Sequence, residues 1–253
     1  MLQLQLYGGT DRGLVRKNNE DSIGFIQFDQ APITLAMVAD GVGGYNGGEI
    51  ASRLAVENIE DYVRKAIMQA VSGGGFPEHW MEQVLANSIE HANRIITTQQ
   101  QQDQNLNRMA CTIVTVLIQD DHLALAYLGD SRCYRWRYQS LQLLTRDHTI
   151  AQQMLDQNII SQQDYRFSPY HHVLSHALGL DAIAQAKVDV MTVYSGDRYM
   201  LCSDGLTNCL ADEEIAEVML SYTDIQQCTE ELITKANDNG GHDNISVVLL
   251  QVD

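Results

Sequence analysis

The chain is poor in positive charge. It carries 16 Lys and Arg against 33 Asp and Glu, a formal net charge of −17. Such a surface repels nucleic acid and anionic membranes, which argues against both as main partners. Long apolar runs are missing too: none approaches the roughly 20 residues a membrane-spanning helix needs. The first residues, MLQLQLYGGTDRG, have no basic stretch followed by an apolar core, so no signal peptide is expected. The five cysteines, Cys111, Cys133, Cys202, Cys209 and Cys228, include no C-x-x-C pair. An odd number of scattered cysteines within apolar segments reads as reduced, buried thiols in a cytoplasmic protein. There is no internal repeat and no interdomain linker, so residues 1–253 read as a single domain.

What is present is ordinary globular composition, with 45% hydrophobic and 19% charged residues. Short apolar or alternating runs predict strands over 2–7, 23–28, 33–39, 112–118, 123–128, 133–137, 187–193, 199–202 and 245–252. Helical spacing is predicted over 49–64, where Ala51, Leu54, Ala55, Ile59, Tyr62 and Val63 share a face, and over 78–100. A further helical pair, about 212–221 and 223–237, precedes the last strand. Ser72-Gly73-Gly74-Gly75 reads as a helix–helix loop, and the polar tract 99–104 as a fraying helix end. Strands in runs, with helices inserted in pairs, favour an α+β fold of antiparallel sheets covered by helices over a doubly wound parallel sheet.

Five segments set an acidic residue beside Gly or Asn at a predicted strand end: Asn18-Asn19-Glu20-Asp21, Val38-Ala39-Asp40-Gly41, Leu128-Gly129-Asp130-Ser131, Cys202-Ser203-Asp204-Gly205 and Gly241-His242-Asp243-Asn244. Singly, each is more often a turn than a ligand. Jointly, strand ends of stacked sheets can converge on one edge. Carboxylates gathered there stay ionised only with a cation among them. An all-oxygen donor set suits Mg²⁺ or Mn²⁺ better than Zn²⁺. The glycine after Asp40 lets a backbone carbonyl approach a metal with no side chain in the way.

The chain resembles the metal-dependent protein serine/threonine phosphatases of the PPM (protein phosphatase 2C) family in their compact bacterial form. The resemblance rests on TDRGLVRKNNEDS (Thr10–Ser22), VADGVGG (Val38–Gly44), LGDSRCY (Leu128–Tyr134), LTRDHT (Leu144–Thr149), LSHALG (Leu174–Gly179), LCSDGL (Leu201–Leu206) and GGHDNISVV (Gly240–Val248), in family order along almost the whole chain. It implies a four-layer α-β-β-α sandwich, with two mainly antiparallel sheets flanked by helices and a flap over about 150–180. Asp40 would bridge two Mn²⁺ or Mg²⁺ ions, with Gly41 and Glu20 at the second ion and Asp204 and Asp243 completing the first. Asp130 with Asp204 matches the pair that holds a third, looser ion in bacterial members. Asp21 would hold metal-bound water, Arg16 would grip the substrate phosphate, and Asn244 would orient Asp243 from behind. Two ions about 3.5–4 Å apart would activate a shared water for in-line attack on phosphorus.

The resemblance further implies phosphorylated proteins as substrates and a serine/threonine kinase as functional counterpart; for a self-contained domain a monomer is the default expectation. Val42 stands where animal members carry a histidine, leaving no assigned acid for the leaving group. Ala110-Cys111-Thr112 replaces the family's Gly-Thr-Thr, and His176 replaces an arginine. His171 and His172 read as surface residues and His148 as an N-terminal helix residue. The flap is expected to be mobile and to shape substrate access.

Three other readings compete, one of them a phosphatase of small molecules or phosphotyrosine, which the same motifs fit. A nucleotide-binding loop over 40–48 fails in detail, because neither G-x-x-x-x-G-K-[ST] nor G-x-G-x-x-G is matched, Asn46 standing at the third glycine. A catalytically weak or dead relative that binds phosphoproteins would have lost acidic ligands, and every expected one is present.

Overall fold

The computed structural model describes residues 3–29, 31–42, 47–165, 167–180 and 184–253. Three strands come first: β1 (Leu4–Asp11), β2 (Asp21–Phe28) and β3 (Ile33–Val42). Two long helices follow, α1 (Gly47–Ser72) and α2 (Trp80–Gln102). Next come β4 (Ala110–Cys111), β5 (Ile113–Gln119), β6 (His122–Leu128), β7 (Arg132–Arg137) and β8 (Ser140–Leu143). Short helices α3 (Ile150–Asp156) and α4 (Gln162–Tyr165) interrupt before β9 (Val188–Thr192) and β10 (Arg198–Cys202). The chain closes with α5 (Asp204–Thr207), α6 (Asp212–Ser221), α7 (Ile225–Asp238) and β11 (Ile245–Val252).

The strands form two sheets, ordered β1-β11-β10-β7-β8 and β2-β3-β5-β6-β9, with β4 paired to the end of β3. Every pairing is antiparallel. Side chains alternate along a strand, so a strand buried on both faces must be apolar throughout. In β3, Ile33, Leu35, Met37 and Ala39 pack under α1 and α2, while Ala36 and Val38 face the other sheet. In β11, Val247 and Leu249 lie under α6 and α7, while Val248, Leu250 and Val252 fill the space between the sheets. Three apolar layers therefore separate four structural layers, the expected α-β-β-α order. Each fully buried Leu, Ile or Met in them contributes about 1.5–3 kcal/mol.

The structure extends the sequence reading in places. Helix α1 runs past residue 64 because Ile67 and Ala70 keep its apolar face against the sheet. It stops where Gly74 takes a φ of +94°, a conformation side chains disfavour. The tract 99–104 is not merely a fraying end. Gln100 sits in the last turns of α2 and donates to the carbonyls of Met109 (2.7 Å) and Gly179 (2.9 Å), which ties the end of the flap to this helix. Strands β4 and β8 and the helices α4 and α5 escaped the sequence reading, being too short to show a period.

Candidate active site

Strand register builds the site. In the β2–β3 pair Asp21 lies directly opposite Asp40, which puts two carboxylates side by side at one sheet edge. The Asp40 backbone is pinned from β5's approach: its N–H donates to Thr112 Oγ1 (3.0 Å) and its carbonyl accepts from Thr112 N (2.8 Å). Gly41 donates to the Glu20 carbonyl (3.1 Å). A Cβ at Gly41 would fall 2.2 Å from the Gly48 carbonyl oxygen and 2.6 Å from that of Glu20, so only glycine fits. Asp204 opens α5 at the end of β10, and Asp243 and Asn244 open β11. Ser203 N donates to the Ser246 carbonyl (3.1 Å), which brings these two corners together.

Asn244 clamps the loop that carries Arg16. Its Oδ1 accepts from Glu20 N (2.8 Å), and its Nδ2 donates to the carbonyls of Arg12 and Asn18 (2.9 Å each). Arg16 reaches over to donate to Asp243 Oδ2 at 2.6 Å and keeps about half of its side chain exposed.

Arg16, Glu20, Asp40, Gly41, Asp130, Asp204, Asp243 and Asn244 line one cavity of about 920 Å³. Asp21, alone among the expected site residues, lies behind its wall and is buried. The electrostatics are those of crowded carboxylates. Burial, then the neighbouring Asp204 and Asp243, push Asp21 up to about 7 against the pull of two hydroxyl donors. Burial and the carboxylates of Asp21, Asp204, Asp130 and Asp243 hold Asp40 well above the usual range. Burial and Asp204 raise Asp130, and burial and Asp243 raise Asp204. Burial raises Glu20 despite Arg16 nearby. The hydrogen bond to Asp243 raises Arg16, which stays cationic.

Among the described residues, no three His, Cys, Asp or Glu side chains already stand in metal-binding geometry. The residues nonetheless fit divalent cations. Asp21 Oδ1 and Asp204 Oδ1 are buried with no hydrogen-bond partner, a costly state that a cation would relieve. Hard carboxylate oxygens beside the closely packed Gly41 backbone form an oxygen-only donor set, the type Mg²⁺ and Mn²⁺ prefer.

His172 does not behave as a plain surface residue. It lines the cavity, with Nδ1 4.0 Å from Asp204 Oδ2, although its ring is largely exposed. His171 lies between Tyr165, which its ring meets at a tilt, and His172, which it meets edge-on. His148 precedes α3 rather than lying in it. Its Nδ1 accepts from Gly129 N (3.3 Å) and its ring stacks on Tyr127. His176 meets His148 edge-on, and burial followed by this neighbour lowers the basicity of His148. Cys111 exchanges backbone hydrogen bonds with Leu178 (3.0 and 2.9 Å), so the departure at 110–112 joins the flap's end to β4 without touching a carboxylate. Gly43, Gly44 and Asn46, part of the motif and of the competing loop reading, lie outside the described residues.

Sequence reasoning missed several cavity residues. Asn208 donates to Asp204 Oδ2 (3.0 Å) from one turn further along, a signal that i, i+4 spacing from Asp204 could have raised. Cys209 and His242 also line the cavity. Nothing periodic in 162–172 marks His172.

Comparison with known proteins bears on these features. The family model described as "Protein phosphatase 2C" matches residues 9–239. The serine/threonine phosphatase stp of Listeria monocytogenes is 34% identical over 245 residues, spanning 96% of this chain and 94% of its own. The crystal structure of the Mycobacterium tuberculosis serine/threonine phosphatase PstP/Ppp is similar with a TM-score of 0.85 at 30% identity, covering 98% of both chains. A structure of the PstP catalytic domain in complex with two manganese ions gives a TM-score of 0.84 at 30% identity, covering 100% of this chain and 99% of that one.

Proposed function

The chain belongs to the protein phosphatase 2C family, and on that premise we propose that its acidic cavity is the metal centre at which phosphoserine and phosphothreonine in proteins are hydrolysed. It is a metal-dependent serine/threonine phosphatase of bacterial type. The observation that carries the site assignment is the convergence of residues from five separate sequence segments on one cavity.

Asp40, Asp204 and Asp243, with Glu20 and the Gly41 carbonyl, would hold two Mn²⁺ or Mg²⁺ ions, and Asp130 with Asp204 a third. Bound there, the ions would supply Lewis-acid activation of a water and neutralise phosphoryl charge. Arg16 is the substrate's hand-hold. Its guanidinium has a single carboxylate partner and ample exposure, so it can turn a fork of donors towards a phosphate. Asn244 fixes the loop beneath it, so the fork is aimed rather than wandering. Asp21 stays behind the wall with one oxygen free of hydrogen bonds. The flap, through His172 and Leu174, forms the side of the cavity facing Asp204. We read it as the mobile element that shapes access.

Phosphorylated proteins are the substrates in this reading, with a serine/threonine kinase as counterpart, and the catalytic unit is residues 1–253 acting as a monomer. Among the described residues no helix is long and apolar enough to cross a membrane. All five cysteines are free thiols and four are buried, which suits the reducing cytoplasm.

Release of phosphate from p-nitrophenyl phosphate and from a phosphothreonine peptide, with Mn²⁺, Mg²⁺ or chelator, tests the reading. Turnover requiring a divalent ion and abolished in Asp40→Asn and Asp204→Asn is expected. Folded protein with no turnover under any metal would end it.

A further inference from the structure

Asp21 is an unusual carboxylate. It is buried, yet among the described residues no Lys, Arg or His hydrogen-bonds to it. Its Oδ2 takes two hydroxyl donors, Ser246 Oγ at 2.6 Å and Ser203 Oγ at 2.8 Å, while Oδ1 takes none and is buried. The two serines belong to the other sheet, Ser246 in β11 and Ser203 at the end of β10.

The direction of each hydrogen bond around them is fixed by elimination. Ser246 has one hydroxyl proton, and it is given to Asp21. At 2.8 Å from Thr10 Oγ1, Ser246 Oγ must therefore accept there, so Thr10 donates. Thr10 Oγ1 in turn accepts from Asn19 Nδ2 (2.8 Å), and Asn19 Oδ1 accepts from Asp21's own backbone N–H (3.1 Å). The chain of bonds leaves Asp21 at its amide and returns to it at Oδ2. Ser203 is locked separately, since its Oγ accepts from Ser246 N at 3.0 Å and is left with its proton for Asp21.

We propose that Thr10, Ser203 and Ser246 are positioning residues: they seize one oxygen of Asp21 in a closed hydrogen-bond circuit across both sheets and so aim the other at the metal centre. This rests on the cavity being the metal centre. A carboxylate merely solvated in the core would use both oxygens. Here two donors crowd onto one and leave the other bare, which is the arrangement that orientation requires and satisfaction alone does not.

The test is a coupling measurement on the full chain. Ser246→Ala, Ser203→Ala and Thr10→Val would each be made alone and together with Asp21→Ala. Mn²⁺ binding by titration calorimetry, kcat and KM on p-nitrophenyl phosphate, and the thermal midpoint would be recorded for all. Ser246→Ala should weaken Mn²⁺ binding and lower kcat by about 10-fold or more, the usual effect of losing a partner behind a metal ligand, with little change in KM. In the Asp21→Ala background the same substitution should change Mn²⁺ affinity by less than about twofold, because the group it acts through is gone. Thr10 is exposed, so Thr10→Val keeps the fold and should show a smaller loss of the same kind, restored by Thr10→Ser. Equal losses of affinity with and without Asp21, or a fall in thermal midpoint alone, would overturn the proposal while leaving the phosphatase reading intact. Wild-type protein that neither binds Mn²⁺ nor turns over substrate would overturn that reading and this proposal with it.

Discussion

Removing the carboxylate of Asp147, which is buried, should loosen the flap and let the protein unfold more easily. Arg132, at the start of β7, forks onto Asp147 with Nε at 2.9 Å and Nη2 at 2.7 Å. The two side chains keep only 18% and 5% of their exposure. Tyr165 of α4 adds a donor to the same carboxylate at 3.3 Å, so the flap is moored to the sheet through this pair. Asp147→Ala leaves a buried guanidinium with Tyr134 Oη as its remaining side-chain partner. Breaking one side of a buried pair costs about 3–5 kcal/mol. For a domain of this size that is a fall of roughly 6–20 °C in thermal midpoint. Arg146 with Asp156, an exposed pair close by, is the control: Asp156→Ala should cost below about 1 kcal/mol. Urea unfolding followed by circular dichroism would measure both. The double variant Arg132→Met/Asp147→Leu should recover most of the loss, since it removes the stranded charge. A loss for Asp147→Ala no greater than for Asp156→Ala would refute the argument that burial of Arg132 sets the magnitude.

Two further outcomes follow from single contacts. Burial pushes Asp197 up, but the Arg137 fork (2.6 Å twice), the Tyr194 N–H and the Tyr199 hydroxyl outweigh it, so its carboxyl titrates below the usual range. A lowered folded value contributes stability above the unfolded value near about 3.9, and that stability is lost as pH falls through the folded value. The gap in urea midpoint between wild type and Asp197→Asn should therefore be constant from neutral pH down to about 5 and should narrow below about 4; a gap unchanged at pH 3 would contradict this. Gly41→Ala drives a Cβ into the Gly48 and Glu20 carbonyls, so it should cost about 1–3 kcal/mol by overpacking and weaken Mn²⁺ binding in calorimetry. Wild-type affinity in a folded Gly41→Ala protein would show that the close approach is not needed.

The layers and most of the strands were legible because their signal is local. A strand such as Ile33–Val42, buried on both faces, has to be apolar at every position, and a helix on one face has to repeat every three or four residues. The carboxylates were legible for another reason: each sits at a strand end beside Gly or Asn, where side-chain crowding is least. The rest depended on distance along the chain. Asp21 meets Ser246 across 225 positions and Ser203 across 182, and no spacing rule joins residues so far apart. His172 reaches Asp204 from a segment with no period at all. Gln100 looked like one of several glutamines in a fraying tract until Gly179 was found beneath its amide.

The strong negative charge of the chain and the anionic substrate of its family pull in opposite directions, and the site shows how the conflict is arranged. Of the charged groups that the described residues bring to the cavity, Glu20, Asp40, Asp130, Asp204 and Asp243 are acidic and Arg16 alone is a permanent cation. By themselves these groups repel phosphate; burial raises their pKa values first, and the neighbouring carboxylates add to it. Arg16 cannot offset them, because it is one cation against five carboxyl groups and one of its donors is held by Asp243. In the proposed reading, the affinity for a phosphorylated side chain comes from cations held by these carboxylates, and the donors of Arg16 that Asp243 does not occupy add to it.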